Sequence, residues 1–145
     1  MKPAFFQITL KLFLLDSSGK LLILRDRASG LGDLPGGRLG KGEIYTAWTQ
    51  TIQREIREEL GSQMSYSVRE NPIFCFPHFM LSDQCEGLGI AFQGIYEGGE
   101  LHLSDEHDYH EWADLKKYNF ENLFKDHMLE AVLKFIQIRE TGYDK

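Results

Sequence analysis

The segment Arg54-Glu55-Ile56-Arg57-Glu58-Glu59-Leu60-Gly61 concentrates acidic groups in eight residues. On a helix, Glu58 and Glu59 stand three and four places beyond Glu55, so the three carboxylates converge on one side of one turn. They fall within an arc of about 100°. Like charges placed this way repel by some tenths of a kcal/mol per pair. Two of them also sit near the C-terminal end, where the macrodipole disfavours anions. Local helix preference therefore gives no reason for the arrangement. A divalent cation does: Mg2+ takes carboxylate oxygens and keeps waters for a phosphate-bearing substrate. A solvated charged face balanced by Arg54 and Arg57 is the other reading, and the helix by itself leaves both open.

Residues 29–42, just upstream, hold six glycines in fourteen positions. A backbone so composed takes unusual angles or approaches something closely; read alone, it is either a mobile surface loop or a backbone that meets a ligand or metal. Together the two segments resemble the Nudix box. That pattern is Gly, five residues, Glu, seven residues, then Arg-Glu-apolar-x-Glu-Glu-x-Gly-apolar. Gly37, Glu43 and the whole block from Arg54 to Gly61 match it, and Leu34-Pro35-Gly36-Gly37 is also what family members often show. Two departures stand out. Ten residues, not seven, separate Glu43 from Arg54, and the last apolar position is Ser62. Trp48 to Arg54 reads as the start of the box helix, which places the insertion in Ile44 to Ala47.

The resemblance implies an α/β fold, a Nudix-type α/β/α sandwich with a mixed β-sheet. It implies Mg2+-dependent hydrolysis, with Mn2+ as a substitute, of a phosphoanhydride in a nucleoside diphosphate linked to another group. A nucleoside triphosphate cleaved to monophosphate and pyrophosphate is the leading substrate, and ADP-ribose or a nucleotide-sugar the alternative. A non-catalytic nucleotide-binding sensor is the reading from another class; such domains typically lose box glutamates, and here Glu55, Glu58 and Glu59 are all present. Carried over by residue, Glu58 and Glu59 resemble the main metal ligands and Glu55 a ligand or general base. The Gly37 carbonyl resembles a backbone ligand. Arg54 resembles the residue that orients a box glutamate, and Glu43 the one that braces the loop or helps hold metal. The further acid that the family supplies from outside the box is assigned to Glu106, five residues before Glu111-Trp112. Arg38 and Phe76 are the candidates for substrate contact. His107 and His110, three apart on a loop, make a weak metal pair, while His78 and His102 read as polar residues or substrate contacts. Pro77 lies near the place where ADP-ribose-cleaving members carry a proline.

Periodicity supplies the elements that must position these groups. Ile8, Leu10, Leu12 and Leu14 alternate with Thr9, Lys11 and Phe13, the period of a strand. Asp16-Ser-Ser-Gly19 is a turn signal and Leu21–Leu24 a second strand, together a hairpin. The box helix spans about 47–60, with Ile52, Ile56 and Leu60 as its stripe, Thr46 as N-cap and Gly61 as C-cap. Strand-like runs follow at 73–79, 89–96, 100–103 and 109–113, and a C-terminal helix is expected at about 120–139. Phe74, Phe76, Phe79 and Phe92 read as core.

Composition bounds the rest. The length suits one domain, 1–145. With 16 Lys and Arg against 22 Asp and Glu, the net charge of −6 argues against a nucleic-acid backbone binder, which needs a basic face. A protein of that charge repels a polyanionic nucleotide unless a cation intervenes. No apolar run exceeds four residues, so no membrane span is expected. Gln7, Thr9 and Lys11 interrupt any export signal, which points to the cytoplasm, and Cys75 and Cys85 read as free thiols. The family often dimerises, so a homodimer is the candidate assembly.

Overall fold

The computed structural model describes residues 1–142. Strands β1 (Gln7–Leu15), β2 (Leu21–Asp26), β3 (Gly32–Asp33) and β4 (Gly36–Arg38) precede helix α1 (Trp48–Leu60). Strands β5 (Met64–Val68), β6 (Phe74–Pro77), β7 (Gly87–Gly99) and β8 (His107–Ala113) then lead to α2 (Asp126–Thr141). All eight strands join one mixed sheet with the central order β3-β2-β1-β7-β5; β4 pairs with β1, β6 with β7 and β8 with β2. Among the described residues the one parallel pairing, β1 with β7, runs nine residues from Gln7↔Gly87 to Leu15↔Ile95. Parallel strands need a crossover, and the chain between them carries α1.

Alternation along β1 means a different neighbour on each side, not one wet face. Leu10, Leu12 and Leu14 pack with Ile90, Phe92 and the α1 stripe of Ile52, Ile56 and Leu60. Phe13 and Leu15 pack on the other side with Phe124, Val132 and Phe135. Phe13 and Phe135 stack with ring centroids 4.5 Å apart. Each helix thus buries one apolar flank on one face of the sheet, which is the expected α/β/α sandwich. On the Phe13 side of β1, Thr9 and Lys11 are also buried.

Several expected elements differ. The hairpin of β1 and β2 is laddered only at Leu15↔Leu21, because β1 takes β7 and β4 as its long partners and β2 takes β8. Met64–Val68, to which the sequence reading assigns nothing, is a strand on β7; its two serines face outward and dilute the pattern. Residues 100–103 are not a strand. That segment closes on the end of α1, where the amide of His102 donates to the Leu60 carbonyl at 2.9 Å and that of Ser104 to the Glu59 carbonyl at 2.9 Å. The C-terminal helix begins at Asp126 and not near 120; Phe120–Asn122 is a separate 3-10 turn. Ala47, not Thr46, is the N-cap of α1, and it offers no side-chain cap. The Thr46 hydroxyl instead donates to the Glu43 carbonyl at 2.8 Å. Phe79 is 44% exposed, so it lies outside the core.

Candidate active site

The site lies where α1 crosses β4 and the start of β8. Two glycines make the approach of helix and strand close. Gly36, at φ 139°, would drive a Cβ to within 1.9 Å of the Leu10 carbonyl oxygen. A Cβ on Gly37 would fall 2.3 Å from the Glu55 carboxyl carbon. Glycine is therefore required at 36, where the clash is with backbone, while at 37 a side chain would displace the Glu55 carboxylate from its seat against β4.

Arg54 gathers one set of carboxylates. Its Nη2 donates to Glu43 Oε1 at 2.7 Å and its Nε to Glu43 Oε2 at 3.1 Å. Its Nη1 reaches Glu55 Oε1 at 2.9 Å and Glu58 Oε2 at 3.3 Å. Glu43 also accepts from the Gly40 amide and from Thr51 Oγ1. The Arg54 hydrogen bond, ahead of these, pulls its carboxyl down to about 2. Glu43 sits on a short 3-10 turn, Glu43–Tyr45, so the extra residues are absorbed before α1 begins. Burial, only partly offset by Arg54, raises Glu55 above the ordinary carboxylate range. Glu58 is the most open of the three, 59% exposed at the side chain.

Glu59 points the other way, into the protein. Only 4% exposed, it accepts from the Gly36 amide through Oε1 at 2.8 Å. Its Oε2 lies 3.9 Å from Nδ1 of His107. The opposite ring nitrogen, Nε2, is 3.0 Å from Asp33 Oδ2. Asp33 Oδ1 takes the Lys11 ammonium at 2.8 Å and the Leu34 amide at 2.8 Å, and Lys11 also donates to the Leu34 carbonyl. Burial opposes the charge on Asp33, but Lys11 and His107 outweigh it and hold the carboxyl well below its usual range. Burial likewise opposes the charge on Lys11, and Asp33 and Glu59 more than compensate. For Glu59 burial wins and pushes the carboxyl up to about 8.

The structure therefore divides the sequence candidates. Glu55, Glu58 and Glu43 share Arg54, whereas the ligand atoms of Glu59, Glu106 and His107 lie within 4.8 Å of one another. His107 and His110 do not form a pair; His107 is buried and His110 exposed. Arg38 is engaged with Gln7 and with Asp83 at the rim. Phe76, read both as core and as a candidate substrate contact, is 6% exposed, belongs to the α2-side core and lies over Gly89, which fits the core reading. His78 stands beside it, and burial, ahead of the charge on Lys11, lowers its imidazole to about 4. Lys11 and Asp33 are the residues the sequence reading does not single out. The signal was a lysine inside a leucine-rich strand, which alternation assigns to solvent.

A family model, the NUDIX domain, matches residues 6–132. Among solved structures, a MutT protein from Methanosarcina mazei Go1 superposes with a TM-score of 0.73 at 20% identity, covering 97% of this chain and 96% of that one. An Ap4A hydrolase from C. elegans gives 0.72 at 17% identity, over 94% and 98%. An ADP-ribose pyrophosphatase from Streptococcus suis gives 0.54 at 15% identity, over 79% and 78%. No curated protein matches the chain.

Proposed function

The chain belongs to the NUDIX family of hydrolases, and from that premise we propose that it cleaves a nucleoside triphosphate to the monophosphate and pyrophosphate. The coarser activity is that of the family, hydrolysis of nucleoside diphosphate derivatives. The observation that carries the proposal is the seating of Glu55 against Gly37 with Glu58 and Glu59 on the same helix turn. This packs carboxylates where a chain of net charge −6 must hold a polyanion.

The donor set fits a hard divalent cation, since glutamate oxygens and a backbone carbonyl are its preferred ligands. Glu58, Glu59, Glu106 and the Gly37 carbonyl would hold Mg2+, with Mn2+ as substitute and Glu43 as a bracing residue. Bound there, the ion would supply charge neutralisation for the phosphate oxygens and polarisation of the anhydride. The chain's own residues do the rest. Arg54 fixes Glu55 in one rotamer through its 2.9 Å contact. Glu55 accepts a proton from the attacking water; burial raises its basicity, which suits a general base. Water oxygen bonds to phosphorus, the α–β anhydride P–O bond breaks, and the leaving pyrophosphate or nucleoside monophosphate, according to which phosphorus is attacked, takes the electron pair. Arg38, at the rim, contacts the nucleotide once released from Asp83.

The test is product analysis by 31P NMR with Mg2+ and a panel of nucleoside triphosphates, ADP-ribose, nucleotide-sugars and dinucleoside polyphosphates. Cleavage of triphosphates to pyrophosphate, lost in Glu58→Gln, is the expected result. Cleavage confined to ADP-ribose or a sugar nucleotide would move the assignment to that class. Ligand-induced thermal stabilisation without any cleavage would favour a binding module.

A further inference from the structure

Among the described residues, three buried side-chain atoms lack a hydrogen-bond partner: the two polar atoms of the Gln93 amide, and Nδ1 of His107. His107 is 2% exposed, and its unpartnered nitrogen faces Glu59 Oε2 at 3.9 Å. A buried polar atom left unpaired forfeits the hydrogen bond it made to water in the unfolded chain. Yet the ring is held firmly in this orientation from its other side. Asp33 accepts from Lys11 and from the Leu34 amide through Oδ1 and turns its other oxygen to the ring, so Nε2 carries the hydrogen toward Asp33 Oδ2 at 3.0 Å. In the neutral ring that assignment leaves Nδ1 a bare lone pair. A carboxylate that holds one ring nitrogen while the other is free is the usual support of a metal-bound histidine.

The surroundings complete a ligand set. Glu106 is the residue before His107, and Glu59, Glu106 and His107 each offer an atom within 4.8 Å of the other two. Ligands about 2.1 Å from one ion lie roughly 3–4 Å apart, which admits the 3.9 Å between Nδ1 and Oε2. The loop that brings Glu106 is pinned to the last turn of α1 by the His102 and Ser104 amides. Both halves of the set are thus anchored to the same helix end. We propose that His107 Nδ1, with Glu59 and Glu106, binds a divalent cation, and that this imidazole ligand makes the site prefer a first-row transition metal such as Mn2+ over Mg2+. Mg2+ is a hard ion that takes oxygen ligands, whereas imidazole suits first-row transition ions, among which Mn2+ also takes carboxylate oxygens. Asp33 and Lys11 are positioning residues that set the ring's tautomer and hold it in place.

This inference rests on the divalent-cation site read above and is tested separately from hydrolysis. The chelator-stripped protein is loaded with Mn2+ alone and examined by electron spin-echo envelope modulation. The expected result is a 14N imidazole coupling that shifts on 15N-histidine labelling, disappears in His107→Gln and persists in His78→Gln. The labelling experiment needs no variant, so a misfolded His107→Gln would not remove the test. Titration should show Mn2+ affinity falling at least tenfold in His107→Gln and in Asp33→Asn, with Mg2+ affinity changing less than threefold in His107→Gln. Bound Mn2+ without nitrogen coupling, in a protein that still hydrolyses anhydrides, would overturn the histidine ligand and leave the proposed function standing. No Mn2+ binding and no hydrolysis would remove both.

Discussion

Arg54 and Lys11 are both cations set among carboxylates, and the fold treats them in opposite ways. Arg54 keeps a third of its side chain in solvent and spreads over Glu43, Glu55 and Glu58. Lys11 is 6% exposed and is committed to Asp33, with His107 and Glu59 beyond it. Water screens the first cluster, so its charges can rearrange around an arriving ion or phosphate at small cost. The second cluster was desolvated on folding, and every charge in it needs its partner. An adaptable set of acids therefore lies beside a rigid one on a single helix. Glu59 belongs to α1 like the adaptable set, but it is packed like the rigid one.

The largest effect should come from breaking the buried set. Lys11→Met leaves Asp33 buried without its ammonium and is expected to cost about 3–5 kcal/mol, read as a lower midpoint in urea unfolding. If it unfolds with wild-type stability, the contrast drawn here is wrong.

Glu59 sharpens the comparison through pH. Its folded value of about 8 lies above the ordinary 4.5 of an unfolded glutamate. Its burial therefore costs nothing below pH 4.5, and the cost grows as pH rises toward about 8. With metal chelated, Glu59→Gln should stabilise the fold by about 3 kcal/mol at pH 7 and remove that part of the pH slope. Hydrolysis should be lost at the same time. Thermal melts in EDTA from pH 5 to 8.5 test the stability claim, and an unchanged slope in the variant would refute it.

His78 provides a third check, at the edge of the buried set. Its ring value falls from 6.5 to about 4 because burial disfavours the imidazolium. The unfolded chain then binds the proton more readily. Stability should be full above pH 6.5 and decline by about 3 kcal/mol as pH drops to 4. Denaturant midpoints should follow that decline in wild type and lose it in His78→Gln.

The smallest stability effect belongs to the open cluster. Arg54→Gln should change unfolding free energy by less than about 1 kcal/mol, because a partly exposed ion-pair hub is worth little. Turnover should nonetheless drop at least tenfold, since Glu55 loses the contact that orients it. A loss of several kcal/mol on calorimetry would show that Arg54 is as structural as Lys11.

How much of this was legible in the sequence varied with distance along the chain. The α1 stripe and the Gly61 cap appear where the residue spacing places them, and so does the pair Glu55 and Glu58 on Arg54, while Glu59 leaves that group for the interior. The helical repeat is local, so spacing translates directly into a shared face. The need for glycine at 36 and 37 was visible as composition, though its cause, the Leu10 carbonyl and the Glu55 carboxylate, was not. The start of α2 was misplaced because the Phe120 turn carries the same apolar spacing as the helix that follows.

The sequence by itself determined the family box, the helix that displays it, and a charge balance that calls for a counterion. Only the tertiary structure decided that Glu59 turns inward and that Lys11, Asp33 and His107 form one largely buried chain. Asp33 and His107 lie 74 residues apart, and they meet because β2 pairs with both β3 and β8. That meeting follows from strand pairing and the exclusion of water from a packed sheet, and neither has a period that a run of residues can carry.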